Sequence, residues 1–390
     1  MQVVRKRKKS FSQKNLRKAS GGLRGKILLD ALFVPENESG YQGTHIFHPY
    51  PGRFHHRLAS VILDQAMPEA RSLLDPFMGG GTSLIEGQLR GLDVRGNDLN
   101  PISPLIVEQK LRVISEEECE HYAERLEDLA ESVRSLRLQK IHQEHSRFLA
   151  TYYPPHTFAE MLCWSHTIRR QEKGPWRDFL RALFSAGAVK FSQLRDDKKA
   201  QVKRPRGAFS RFMEEKGKQL LEAQLEQGEE VPEETVSPSL TCGDVLDLDL
   251  SQDPVDLILT SPPYPGTYDY SKHHELRMRW LNLPMADMEK KEWGSRRNEG
   301  LKGWQRSFQK VLQAMAKQIS ESGRIYMVIG DWVDGETRID ALAYLRKVAP
   351  KAGLSVSSFA SVERENFYGP HRKAYETEGK WEHLIELQRA

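Results

Sequence analysis

The run from Ser72 to Thr82 (SLLDPFMGGGT) constrains this chain more than any other stretch. A short apolar segment is cut off by Pro76 and three successive glycines, and residues Thr82 to Arg90 then carry apolar side chains at helical spacing until Gly91. Proline donates no ladder hydrogen bond and glycine weakens a strand, so a strand must stop here and a helix begin. Asp93 to Asp98 (DVRGND) fits a second, weaker strand ending at Asn100-Pro101. Strand, helix and strand in this order predict a right-handed crossover unit of a parallel sheet, with the glycines just beyond the carboxyl end of its first strand.

Strand-like runs recur far downstream, at Leu240–Leu246, Val255–Thr260, Arg324–Gly330, Leu354–Val362 and His383–Gln388. Helical stretches separate several of them, at His273–Leu281, Gly303–Ser320 and Arg338–Pro350, which predicts an α/β fold with a mainly parallel sheet. The last two runs have no helix between them and fit an antiparallel pair at the sheet edge. Between the two halves, residues 104–239 carry long charged stretches with apolar residues three and four apart, as in Glu116–Leu138 and Trp176–Leu194, and read as a helical insertion. The expected organisation is a basic flexible arm over 1–26, a catalytic domain over 27–103 and 240–390, and the insertion over 104–239.

Charge supports that division. The 58 Lys and Arg outnumber the 54 Asp and Glu by only four, yet residues 1–26 hold ten basic residues and no acid. A basic arm on a mildly acidic body suits a polyanion, and a solvated tail accounts for the same charge. Within the insertion, Lys190–Arg211 has eight basic residues against two aspartates, among them Lys203, Arg204 and Arg206. The three cysteines form no metal-binding or disulfide pattern, and no segment approaches the roughly 20 apolar residues of a membrane span. The expectation is a cytoplasmic chain with no metal and no membrane partner.

The glycine loop narrows the chemistry. It lacks the third glycine of a dinucleotide loop and the lysine of a P-loop, so it is not built to cradle phosphate. Asp75, beside it, would repel a pyrophosphate and suit a ligand bearing an amino group. Asp98 follows Phe77 by 21 residues, near the offset at which a carboxylate takes ribose hydroxyls, and Asp244 ends a further strand-like run. Singly, each aspartate also fits a cap or turn. Three strand-terminal carboxylates on one sheet edge outline a nucleoside-shaped site.

The second informative segment is Asp256 to Tyr264 (DLILTSPPY). Adjacent prolines must mark the end of a strand, and their fixed φ angles can hold carbonyls toward a cleft. Ser261 before them and Tyr264 after them complete a site for a planar base: acceptors for an amino group and a face for stacking. Methylation of an exocyclic amine needs this, because acceptors on the N–H protons favour the more nucleophilic tetrahedral nitrogen. No Pro-Cys setting exists for carbon-5 chemistry, and the nearby Ser271–Arg277 stretch lacks H-E-x-x-H spacing; it reads as a helix beside the cleft from which Tyr268, Tyr270 or Arg277 contacts substrate.

At these residues the chain resembles the S-adenosylmethionine-dependent DNA amino-methyltransferases of restriction-modification systems, whose loops read D-P-F-x-G-x-G-T and S/N/D-P-P-Y/F/W. Both are complete here, at Asp75–Thr82 and Ser261–Tyr264. The resemblance implies a Rossmann-like sheet of seven strands with the last antiparallel. It implies that Asp75, Phe77, Gly79, Gly81 and Thr82 form the cofactor loop, that Asp98 holds the ribose of S-adenosylmethionine and that Asp244 holds its adenine amino group. Ser261 and the Pro262 carbonyl would bind the target amine, Pro263 would complete the catalytic loop, and Tyr264 would stack on a base flipped from duplex DNA. His45–Phe54 (HIFHPYPGRF) is similar to the family's segment near the methionine end of the cofactor. The resemblance spans about residues 45–103 and 240–390.

The serine form of the catalytic tetrapeptide points to N4 of cytosine, with N6 of adenine as the alternative. RNA methylation and a catalytically silent nucleic-acid-binding protein are further readings; DNA is favoured because no RNA-binding module stands out, and activity because both loops are intact. Lys203, Arg204 and Arg206 are the expected DNA contacts.

Overall fold

The computed structural model describes residues 17–34, 42–136, 146–195, 198–199, 204–265, 269–292, 300–334, 336–364, 374–375 and 379–390. In chain order, β1 (Arg17–Ser20), α1 (Leu23–Leu32), α2 (His56–Val61), β2 (Ser72–Asp75), α3 (Thr82–Gln88), β3 (Asp93–Asp98) and α4 (Ile102–Leu111) come first. The helices α5 (Glu116–Ser135), α6 (Ser146–Ala150), α7 (Pro155–Arg170), α8 (Pro175–Lys190) and α9 (Ala208–Glu230) follow, with a small β4 (Leu194–Arg195) and β5 (Lys198–Lys199) pair before α9. Then come β6 (Ser239–Cys242), β7 (Val255–Thr260), α10 (Tyr270–Leu281), α11 (Ala286–Lys291), α12 (Gly300–Gln318), β8 (Ile319–Gly330), the β9 (Trp332–Asp334) and β10 (Thr337–Ile339) hairpin, α13 (Ala341–Val348), β11 (Leu354–Glu363) and β12 (Trp381–Arg389).

One sheet of eight strands runs in the order β1-β11-β12-β8-β7-β2-β3-β6. Its centre is parallel, with β2 flanked by β3 and β7 and β8 beside β7. The last strand, β12, enters antiparallel between β8 and β11. This is the expected Rossmann-like sheet with a reversed final strand, but among the described residues it has eight strands rather than the expected seven, because β1 is added antiparallel at the edge beside β11. The chain order jumps at β2, whose two neighbours are β3 and β7, and such switch points leave a crevice beyond the carboxyl strand ends.

Period-two alternation places the apolar residues of the central strands on two buried faces: Leu73, Leu257 and Leu259 face one cluster with Leu28, Leu84 and Ile106, while Leu74 and Ile258 face another with Phe308, Leu312 and Leu345. A third cluster lies within the insertion, where Leu126, Trp164, Phe179 and Phe209 pack together from α5, α7, α8 and α9. Leu276 and Trp280 of α10 belong to it, so the helix after the catalytic loop is shared between sheet and insertion.

Two sequence expectations need correction. The arm expected over 1–26 is structured from Arg17: β1 pairs antiparallel with β11 and forms the sheet edge, and α1 starts at Leu23. Arg17 lies over the Phe33 ring at 3.6 Å and Lys18 over Trp381 at 4.5 Å. Basic residues guard exposed edge strands, so charge alone could not separate this strand from a tail. Residues 1–16 lie outside the described residues. The terminal pair β11–β12 is antiparallel as expected, but β1 rather than either of them takes the edge.

Candidate active site

The glycine loop and the Ser-Pro-Pro-Tyr loop open onto one cleft. Its walls include Asp75, Phe77, Gly79, Thr82, Asp98, Asp244, Ser261 and Pro263. Tyr50, Arg53 and Phe54 of the segment 45–54 line it too, as does Tyr270 at the start of α10. Segments some 180 residues apart in sequence thus meet because β2 and β7 are neighbouring parallel strands.

The three aspartates share one local device. The Oδ1 atoms of Asp75, Asp98 and Asp244 each accept the backbone N–H two residues on, from Phe77, Asn100 and Leu246 at 3.1, 2.8 and 3.0 Å. What the second oxygen does separates them. Asp98 Oδ2 accepts the Gly79 N–H at 2.8 Å, tying β3 to the glycine loop. Asp75 Oδ2 accepts from Ser83, and the Thr260 hydroxyl donates at 2.7 Å to Asp75 Oδ1, which locks β2 against the end of β7. The second oxygen of half-buried Asp244 accepts no hydrogen bond among the described residues. Burial pushes the carboxyls of Asp75 and Asp98 up to about 6.

Gly79 and Gly81 adopt positive φ, 48° and 77°. A Cβ on Gly79 would lie 3.0 Å from the Tyr50 ring, and one on Gly81 2.8 Å from Val107. Side chains are excluded, and the loop backbone itself forms the wall. Lys110, which the sequence reading missed, reaches the loop from beneath: wholly buried, it donates to the Gly80 carbonyl at 2.7 Å. Burial, with Arg53 and Lys216 nearby, pulls its ammonium down to about 7. A lysine on an apolar helix 30 positions from its partner carries no local sequence signal. Tyr50 stands over the loop, its hydroxyl accepting from Asn100 at 3.0 Å and Ser103 at 3.1 Å.

In the catalytic loop, the Tyr264 hydroxyl donates to the Val328 carbonyl at 3.3 Å and lies 3.2 Å from Ser261 Oγ. Its single proton being committed to Val328, Tyr264 accepts from Ser261, and the Ser261 oxygen keeps its lone pairs for another donor. Trp304 Nε1 fixes the loop by donating to the Pro263 carbonyl at 3.1 Å. Neither Pro262 nor Tyr264 is among the residues lining the cleft, and the Tyr264 ring sits against Gly330, where an added Cβ would approach it to 3.2 Å. Tyr270 supplies the aromatic wall instead, while Tyr268 lies outside the described residues. Arg277 faces away from the cleft, donating to the carbonyls of Ser185 and His273, both at 3.3 Å.

Neither Arg204 nor Arg206, two of the expected DNA contacts, lines the cleft. Arg204 packs 4.6 Å over the Phe191 ring and donates to the Lys190 carbonyl at 2.6 Å, so it closes the α8–α9 connection. Arg206 is exposed, and Lys203 lies outside the described residues.

The strand order, the reversed last strand and a cleft shared by these two loops define the class: a Rossmann-like methyltransferase fold carrying a helical insertion. The chain is similar in sequence to type II methyltransferases. It is 25% identical to M.MvaI of Kocuria varians over 274 residues, covering 63% of this chain and 59% of the relative. It is 21% identical to M.BsoBI of Geobacillus stearothermophilus, covering 62% and 53%. A shorter stretch of 69 residues is 36% identical to M.MjaII of Methanocaldococcus jannaschii, covering 18% and 13%. The chain therefore matches less than two thirds of the length of each. No family model matches it. Among solved structures, TrmN from Thermus thermophilus aligns with a TM-score of 0.34 at 11% identity over 89% of this chain and 52% of that one.

Proposed function

We propose that the protein is a DNA methyltransferase that moves a methyl group from S-adenosylmethionine to the exocyclic amine of a flipped base, N4 of cytosine, in a cytoplasmic restriction-modification setting. The observation that carries this reading is the single cleft walled by both Gly79 and Ser261. The residues fit the cofactor: a loop that no side chain can fill, a carboxylate at each strand end, and Asp244 with an oxygen to spare. Asp98 and Asp244 would hold its ribose and adenine, and Phe77, Gly79 and Thr82 would wall it; Gly81, not among the cleft-lining residues, sets the loop's turn into α3. When bound, S-adenosylmethionine supplies an electrophilic methyl carbon on a sulfonium.

The chain's own residues do the rest. Ser261 Oγ, oriented by Tyr264, accepts a hydrogen bond from one N–H of the target amine, favouring a tetrahedral nitrogen; Pro262, expected to accept from the other, is buried and not among the cleft-lining residues, so its carbonyl is given no contact with the amine. Pro263, held by Trp304, keeps that loop rigid. Near-attack placement accounts for most of the acceleration, with effective molarities of roughly 10⁵–10⁸ M available. Double-stranded DNA is the substrate and partner in this reading, and no metal takes part.

The deciding experiment incubates the full chain and labelled S-adenosylmethionine with duplex DNA, single-stranded DNA and RNA, then identifies the modified nucleoside by mass spectrometry. N4-methylcytosine in DNA is expected. N6-methyladenine would overturn the base assignment, and label confined to RNA would overturn the substrate.

A further inference from the structure

A second recess lies in the insertion, at the end of α8 remote from Lys190. Arg169 from the last turn of α7 and Arg177 and Arg181 from α8 line it, with Ser165, Phe184 and Trp280. Arg177 and Arg181, four apart on one helix, share a face. None of the lining residues is acidic. Arg181 is paired with Asp178 at 2.8 Å, but the Nε of Arg177 is buried without a hydrogen-bond acceptor among the described residues. Burial and the neighbouring Arg177 hold the Arg169 guanidinium below its ordinary value. Like charges gathered in a partly desolvated recess are costly until an anion joins them.

We infer that this arginine recess binds a phosphodiester of the DNA backbone; the inference rests on the DNA-methyltransferase reading. Guanidinium forks match phosphate oxygens in pairs, and the recess presents those of Arg169 and Arg177 beside Arg181, which is already paired with Asp178. Its position suits a strand whose base occupies the active-site cleft. Helix α10 begins with Tyr270 on the cleft wall and reaches Trp280 on the recess wall. At ~1.5 Å per residue that is about 15 Å, or roughly four nucleotide steps at ~3.4 Å each along the duplex. The basic segment singled out in the sequence, Lys190–Arg211, starts at the opposite end of α8.

The test is fluorescence anisotropy of a labelled DNA duplex with the full chain and with R169Q and R177Q separately, between about 50 and 200 mM salt. Each variant is expected to bind at least about tenfold more weakly, the effect of one charge-assisted hydrogen bond, and to lower the slope of log affinity against log salt by about 1. Exposed Arg169 makes R169Q a variant that keeps its fold, checked by unchanged S-adenosylmethionine binding in calorimetry. Wild-type affinity and slope in both variants would sink the recess and leave the DNA reading standing. Absence of any duplex binding by the wild-type chain would instead remove the DNA reading and this inference with it. In a parallel arm with inorganic phosphate alone, stabilisation of the wild-type chain but not the variants, combined with unchanged DNA affinity, would assign the recess to free phosphate and overturn the proposal.

Discussion

The glycine loop and the basic segment Lys190–Arg211 both carried functional expectations in the sequence, and the structure separates them. The loop's residues 75–80 and Thr82 line a cleft, because the loop takes a backbone path that glycine alone permits at Gly79 and Gly81. The basic segment's aromatic neighbours Phe191, Phe209 and Phe212 are buried in the insertion core, and its Arg204 serves packing. A motif made of backbone constraint survives translation into three dimensions. A count of charges does not say which of them meet a ligand.

The sharpest way to break that contrast is S261A. Loss of the acceptor should cost about 10²–10³-fold in methyl transfer, measured with labelled cofactor, with cofactor binding intact; near-normal turnover would strip the catalytic loop of its role. G81A comes next. A Cβ at φ 77° against Val107 should cost about 1–3 kcal/mol, read from thermal melting, and weaken S-adenosylmethionine binding in calorimetry.

Y264F tests what the tyrosine does. Retaining the ring but losing the hydroxyl that orients Ser261 should lower kcat about tenfold with little change in KM. If the ring's role were only to stack on a base, Y264F would behave as wild type and Y264A alone would fail.

Asp98 gives a pH test. Its folded value of about 6 exceeds the ordinary 3.8, so the folded chain holds a proton that the unfolded chain has lost between those values. Its contribution to stability therefore falls as pH rises from about 4 to about 6 and then levels off. Ligand hydroxyls favour the ionised carboxylate, so cofactor affinity should fall as pH drops below about 6, by up to about tenfold per unit. A flat affinity profile from pH 5 to 8 would detach Asp98 from the ligand. The smallest effect belongs to exposed Arg206: R206A should leave both melting and the salt slope of DNA binding unchanged, and a slope lowered by about 1 would return the basic segment to the DNA surface.

Much of the catalytic half was legible from local pattern. Val255–Thr260 and Asp93–Asp98 coincide with β7 and β3, since β-rich runs bounded by turn residues leave few alternatives. Boundaries blurred where tertiary pairing extends a strand: β8 begins at Ile319 rather than Arg324 because Val255 pairs with Ile319. Lys110 beneath Gly80, Tyr50 over the loop and the arginine recess were invisible, since each joins residues from separate elements.

By itself the sequence determined where strands must stop, which loop must be bare backbone and where two prolines freeze the chain, because these follow from allowed dihedral angles and missing N–H groups within a few residues. Only the tertiary structure decided that Ser261 faces Gly79 across one cleft, that Tyr264 turns its hydroxyl to Val328 and that Arg17 to Ser20 close a sheet edge. Those outcomes depend on which distant strands lie side by side, and that is set by burying both faces of the sheet at once.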